Sequence, residues 1–237
     1  MEVGAAAVVR GIQGPDPKVS HVIYDLDGLL LDTEPFYTQA SQIIAQRFGK
    51  TYDWSVKSRM IGKKATDSAR IFTEALALPI TPAEYLEERK TLLEALFPKA
   101  EPMPGARRLT LHLHRCRIPQ AVATSSDRRH FDLKISRHRD WFRIFDCMVI
   151  GDDPEVRHGK PAPDIFLLAA ARLGAIPSKC LVLEDSPAGL QAALAAGMYA
   201  VSVPDPNMER LAFRGSHQIL RSLEEFNPGA WGLPPYP

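Results

Sequence analysis

Near its start the chain carries two aspartates two places apart, Asp25 and Asp27, after an apolar run and before Gly28 (HVIYDLDG, residues 21–28). On an extended chain alternate side chains point the same way, so one carboxylate can attack while the other handles protons. A carboxylate that attacks phosphorus forms an acyl phosphate. Gly28 suits a sharp turn after a strand. The plainer reading is a strand-end turn, where Asp and Gly are common. A calcium loop does not fit the position of Gly28 or the apolar Leu29, Leu30 and Leu31.

Three later stretches carry complementary chemistry. Thr124-Ser125-Ser126 close the run PQAVA, where a hydroxyl and free backbone N–H groups can hold phosphate oxygens; alternatively they cap the next helix. Lys160 lies in the proline-bounded loop GKPAPD, from which an ammonium can neutralise a phosphate and the nucleophile together; alternatively it is an exposed loop lysine. Glu184-Asp185-Ser186 end the apolar run CLVL. Acidic groups there are costly unless they bind a cation or hydrogen-bond donors. Asp185 beside Asp25 would make a hard oxygen site suited to Mg²⁺, while an N-cap role for Asp185 or Ser186 is the alternative.

These stretches must be brought together by the elements around them. Helical spacing predicts helices over 36–48, 65–78 and 82–97, with Thr81 as an N-cap. From residue 103 onward strands (119–123, 146–150, 180–183, 198–203) alternate with helices (105–115, 127–138, 163–173, 187–196). Such alternation implies parallel strands with helices on both faces. The expected architecture is α/β: a Rossmann-like three-layer α/β/α core with a parallel sheet, formed by 18–34 and 103–237, and a helical cap domain inserted over 35–102. Each chemical stretch then falls at the C-terminal edge of the sheet or on a nearby loop, where open parallel sheets bind ligands. The Pro- and Gly-rich tail, 227–237, is expected to lie irregularly on the surface, and the leader, 11–18, to be loose.

Composition narrows the function classes. The chain has 237 residues, 45% hydrophobic and 24% charged, with a net charge of +1. That balance gives no strong field for nucleic acid or membrane, and a monomer is expected. Cys116, Cys147 and Cys180 are scattered and read as reduced thiols, without a zinc pattern. The apolar patch at 5–9 is too short to span a bilayer and lacks a basic flank for a signal peptide. A cytoplasmic location is expected.

DLDG, ATSS, GKPAPD and LEDS occur here in the order found in the haloacid dehalogenase superfamily, which the chain resembles from residue 21 to about 203. The resemblance implies a Mg²⁺-dependent phosphatase acting on a small phosphorylated metabolite through an aspartyl phosphate. It makes Asp25 the nucleophile and a metal ligand. Asp27 would be the acid–base and would ligate Mg²⁺ through its carbonyl. Thr124 and the Ser125 backbone would hold phosphate, and Lys160 would steady its charge. Asp185 would complete the metal shell, with Glu184 ligating directly or through water. GLLLDTE, MIGKK, FDLK, RHR, GDDPEV, HGKPAPDIF and WGLPP resemble one branch, which holds pseudouridine-5′-phosphatases and glycerol-3-phosphate phosphatases. Pseudouridine 5′-phosphate is the expected substrate, with glycerol 3-phosphate or another polyol phosphate as the alternative.

The insert resembles the helical cap of this group and is expected to act as a lid. Lys63 and Lys64 are possible substrate contacts on a cap loop. Phe36, Tyr37 and Trp54 either line the pocket or pack the insert, and Glu34 either binds substrate or serves the hinge. His130 and His138 have no metal spacing and are assigned to surface or packing. Asp27 is expected to be kept protonated by a raised pKa while Asp25 stays ionised. Phosphomutases use the same motifs, but those of this group carry a basic residue where this chain has Ala65. Dehalogenases usually lack the second aspartate and need no Mg²⁺, and a binding protein without catalysis would not need the full set.

Overall fold

Short runs of small and β-branched apolar residues build the core of the computed structural model, which describes residues 18–60 and 65–237. In chain order the strands are β1 (His21–Tyr24), β2 (Leu31–Asp32), β3 (Glu101–Pro102), β4 (Gln120–Ala123), β5 (Cys147–Val149), β6 (Cys180–Glu184), β7 (Tyr199–Ser202) and β8 (Gln218–Ile219). The main sheet has six parallel strands in the order β5-β4-β1-β6-β7-β8. Successive side chains leave a strand on opposite faces. Val22 and Tyr24 therefore join one apolar cluster and Ile23 the other.

The helices are α1 (Glu34–Arg47), α2 (Trp54–Met60), α3 (Ala65–Ala75), α4 (Pro82–Leu96), α5 (Ala106–Arg115), α6 (Arg128–Lys134), α7 (Arg139–Phe142), α8 (Asp164–Arg172) and α9 (Pro187–Ala195). One face of the sheet packs α5, α6 and α7 through Leu109, Phe131 and Trp141. The other packs α8 and α9 through Phe166 and Leu190. Covering both faces explains why the central strands are continuous apolar runs. The expected three-layer core is present.

Helices α1 to α4 form clusters of their own, one built around Phe72 stacked on Tyr85 at 4.1 Å. The chain leaves the core beside β2 and returns beside β3, which pair antiparallel (Leu31 with Pro102, Asp32 with Glu101). A short ribbon thus ties both connections together. Across the seam, Arg129 of α6 grips Glu94 of α4 with bonds of 2.7 and 2.6 Å. Among the described residues no helix is long and apolar enough to cross a membrane.

Several expectations are corrected. The spacing does not mark α2, whose inward residues are only Val56 and Met60; so short a segment has little periodic signal. The helix expected over 127–138 stops at Lys134. There the chain tightens into three-residue turns (Ser136 N–H to Leu133 O, His138 N–H to Ile135 O) before α7. The His138 ring is pinned there by the Ala100 carbonyl at 2.7 Å. The tail runs along the surface but is anchored rather than irregular: Trp231 and Leu233 are buried, and the Val19 N–H donates to the Trp231 carbonyl. Its apolar area outweighs the turn-forming signals around it. Among the alternatives for helix caps, Asp127 caps α6 and Ser186, not Asp185, caps α9.

Candidate active site

Strand register brings the separate stretches to one edge. Tyr24 is level with Val122 of β4 and Leu183 of β6, so Asp25 emerges level with Ala123 and Glu184, one residue before Thr124. The Asp25 and Thr124 N–H groups still bond neighbouring strands, each at 3.0 Å, which fixes where both side chains start. Chain order reverses around β1, the switch point at which such sheets open a crevice.

Lys160 reaches into this crevice and is buried, which removes the exposed-loop alternative. Its Nζ donates to Asp25 Oδ1 at 2.6 Å, Glu184 Oε1 at 2.5 Å and the Ala123 carbonyl at 3.1 Å. Burial pushes the Asp25 carboxyl up to about 7; Lys160 opposes this, and the Glu184 and Asp27 charges add to it. Burial alone would depress the Lys160 ammonium, but Asp25 and Glu184 outweigh it and raise it.

Asp27 occupies a different environment. Its Oδ1 accepts from Thr33 Oγ1 at 2.7 Å and pairs with Lys134 Nζ at 2.5 Å. Its Oδ2 accepts from Ser126 Oγ at 2.9 Å and Thr124 Oγ1 at 3.3 Å. Lys134 is 1% exposed and also donates to Ser126 Oγ and Tyr37 OH, at 2.7 and 3.2 Å. Burial would raise the Asp27 carboxyl, but Lys134 and these donors outweigh it and hold it below its ordinary value. The ionised Asp25 is expected of the Mg²⁺-bound site; the raised carboxyl expected of Asp27 is corrected, since it is held down instead. The reason is the cation of α6, which motif reading did not assign to Asp27. Its signal was present in FDLK, where Phe131 and Lys134 share a helix face and are both buried.

Backbone donors complete the crevice. Among the described residues, the Leu26 and Ser125 N–H groups donate to no protein acceptor. The Ser125 side chain itself is exposed. Gly151 lies so close behind that a Cβ there would be 2.3 Å from the Ser125 carbonyl.

The two acidic residues after β6 divide in role. Glu184 is fully buried and held by protein donors: Lys160 on Oε1, and the Ser186 N–H and Oγ on Oε2, both at 3.0 Å. Asp185 has no protein partner among the described residues, and its Oδ2 packs against Gly28, 2.4 Å from where a Cβ would stand. Burial raises its carboxyl well above the ordinary range, helped by the Glu184, Asp25 and Glu34 charges. An unpartnered carboxylate amid carboxylates fits a hard divalent cation. Among the described residues no three metal-type side chains converge as a cage; a site here would combine Asp25 and Asp185 with a backbone carbonyl and waters.

Beside Asp27 opens a cleft of about 510 Å³ between α1–α4 and α6, with Glu34, Tyr37, Lys57, Arg89 and His130 among its walls. Lys57 bonds Thr38 Oγ1 at 2.9 Å and lies 3.8 Å from Glu34. Tyr37 therefore lines the pocket, whereas Phe36 packs against the apolar clusters and Trp54 borders a neighbouring cavity. His130 faces the cleft rather than bulk surface. Lys63 and Lys64 lie outside the described residues.

Residues 19–197 match the haloacid dehalogenase-like hydrolases, and the chain belongs to that family. It is 50% identical to (DL)-glycerol-3-phosphatase 2 of Arabidopsis thaliana, covering 92% of this chain and 93% of that one. It is 45% identical to a Drosophila melanogaster protein named "Probable pseudouridine-5′-phosphatase", covering 92% and 96%. Among solved structures, a HAD family hydrolase from Deinococcus radiodurans R1 with bound phosphate and sodium superposes with a TM-score of 0.80 at 25% identity, over 93% of this chain and 100% of that one.

Proposed function

We propose that this chain is a Mg²⁺-dependent phosphomonoesterase in which Asp25 carries the phosphoryl group. The observation that carries this reading is Lys160, buried between Asp25 and Glu184 at the sheet edge while Asp27 is held separately beside the cleft. Phosphoryl transfer depends mostly on positioning and charge neutralisation, and this arrangement supplies both. Asp25 Oδ attacks phosphorus, an O–P bond forms, and the bond to the leaving oxygen breaks. Asp27 gives that oxygen a proton. A water then attacks the aspartyl phosphate while Asp27 takes its proton back, releasing phosphate and free Asp25. The ionised state of Asp27 in the ligand-free protein suits the second step; the first requires it to gain a proton as substrate arrives. Asp25, Asp185 and the Asp27 carbonyl would hold Mg²⁺, which when bound supplies charge neutralisation for the phosphate oxygens. Thr124 and the free N–H groups of Leu26 and Ser125 orient the remaining oxygens.

The proposed insert, 35–102, closes over the site as a lid and excludes water. Pseudouridine 5′-phosphate is the substrate reading favoured by the size of the cleft and by the Tyr37 and Tyr52 side chains on its walls. Glycerol 3-phosphate is the second reading, supported by the 50% identity to a glycerol-3-phosphatase. Phosphate release should be measured across a panel of esters with Mg²⁺, with EDTA, and with Asp25→Asn. Turnover is expected only with Mg²⁺ and intact Asp25. Equal release by Asp25→Asn would overturn the aspartyl-phosphate reading.

A further inference from the structure

The net charge of +1 hides a segregation. Residues 105–143 hold ten lysines and arginines against three aspartates, a net of +7, so the rest of the chain is net −6. That basic span builds the α5, α6 and α7 layer on one face of the sheet. Three of its cations are answered within the protein: Arg128 by Asp132, Arg129 by Glu94 and Lys134 by Asp27. Four others gather around a second concavity.

This hollow of about 490 Å³ lies between the start of α5 and residues 136–143, and it shares no wall residue with the cleft beside Asp27. Arg107, Arg137, Arg139 and Arg143 line it, with Asp140 as the acid among them. Arg143 pairs with Asp140 at 2.9 Å, and Arg137 with Glu101 of β3 at 3.3 Å. Both acids are well exposed, so water screens them. Arg107 and Arg139 make no ion pair among the described residues.

Arg107 is held ready. His138 Nε2 donates to the Ala100 carbonyl at 2.7 Å, which leaves Nδ1 as the acceptor for Arg107 Nη2–H at 3.0 Å. The guanidinium carbon lies 5.0 Å from the Trp141 ring centroid, a cation–π contact. His138 and Trp141 are both buried, so this support is fixed. A guanidinium has five N–H donors, and most of them stay available for a ligand. Arg107 also stands in the first turn of α5, which holds no acid; the helix dipole disfavours a cation there. Four like charges around one hollow repel one another as well. An anion seated between them reverses both effects.

We propose that this hollow is a second anion site, separate from the catalytic crevice, for a ligand bearing a diphosphate or similarly multiply charged phosphate group. The walls carry a net +3, which a diphosphate matches. Its oxygens point in several directions and can meet guanidinium forks from several sides, whereas a single carboxylate presents one planar edge.

The test is calorimetric titration of the full chain with inorganic pyrophosphate, without Mg²⁺, in wild type, Arg107→Gln, Arg139→Gln and the double variant. A phosphatase crevice can also take pyrophosphate, so the variants decide where binding occurs. Affinity is expected to fall by about 10–100-fold in Arg107→Gln, as for loss of a charge-assisted hydrogen bond. Turnover with Mg²⁺ should stay unchanged, which also shows that the variant is folded. Arg139 is exposed, so Arg139→Gln gives the same reading should Arg107→Gln not fold. Phosphatidylcholine vesicles doped with a phosphoinositide test whether the phosphate comes from a lipid headgroup instead of a free ligand, and citrate tests charge alone. Binding of pyrophosphate or of these vesicles that is lost in the double variant supports the site. Binding that survives the double variant, citrate binding as tight as pyrophosphate, or a wild type that binds neither pyrophosphate nor vesicles overturns it.

Discussion

Lys134 shows how one residue can set the state of another. It is buried against Asp27, whose side chain is 21% exposed, and its removal leaves a part-buried carboxylate without its cation. Breaking a fully buried pair from one side costs about 3–5 kcal/mol, and the partial exposure of Asp27 puts this pair below that. Lys134→Met is therefore expected to lower the melting midpoint and to reduce turnover together. Adding Asp27→Asn should restore most of the lost stability without restoring activity, which a double-mutant cycle in urea would read. Additive losses would show that the two side chains are not energetically coupled. Gly189 makes a second residue-scale case: a Cβ there would stand 1.8 Å from the Glu184 carboxyl carbon. Either α9 must shift or Glu184 must release Lys160. Gly189→Ala is expected to cost about 1–3 kcal/mol, the usual range for overpacking, and to depress turnover by disturbing Lys160. Asp25, Asp27, Lys160 and Asp185 were legible in the sequence because each stands in a recognisable short motif. The Lys134 pairing was not, because nothing in a linear pattern shows that the inner face of a short helix meets a strand-end loop.

Elements with strong periodic or apolar signals were read close to their true limits. β1, β4 and β6 are short apolar runs closed by polar residues, and α4 carries its capping box of Thr81 and Glu84. Elements set by tertiary contacts were not. α2 is brief, and the break after α6 depends on contacts made by His138, whose ring bonds a carbonyl far along the chain. The tail was misread because prolines and glycines signal turns but do not say which side chains between them are buried. Trp231 is 1% exposed and its Nε1 donates to Gln218 Oε1 at 3.2 Å. Trp231→Ala is expected to cost about 3–5 kcal/mol, as for other large aromatic truncations. A denaturant midpoint unchanged within error would return the tail to the status of surface decoration.

At the scale of the whole molecule, the alternation of strands and helices was enough to predict a parallel sheet covered on both sides, and the strand order then explains why the chemical stretches meet. Substrate choice was less legible, since the cleft draws its walls from both the insert and the core and exists only once the chain has folded back on itself. The β2–β3 ribbon adds a further consequence. Neighbouring strands lie only about 5 Å apart, so the place where the insert departs and the place where it rejoins are nearly one point in space. A bridge of a few residues could span that gap, and a differently shaped excursion could be grafted there without asking the catalytic sheet to move. The helical excursion from 34 to 100 is thereby joined to the sheet at a single narrow neck.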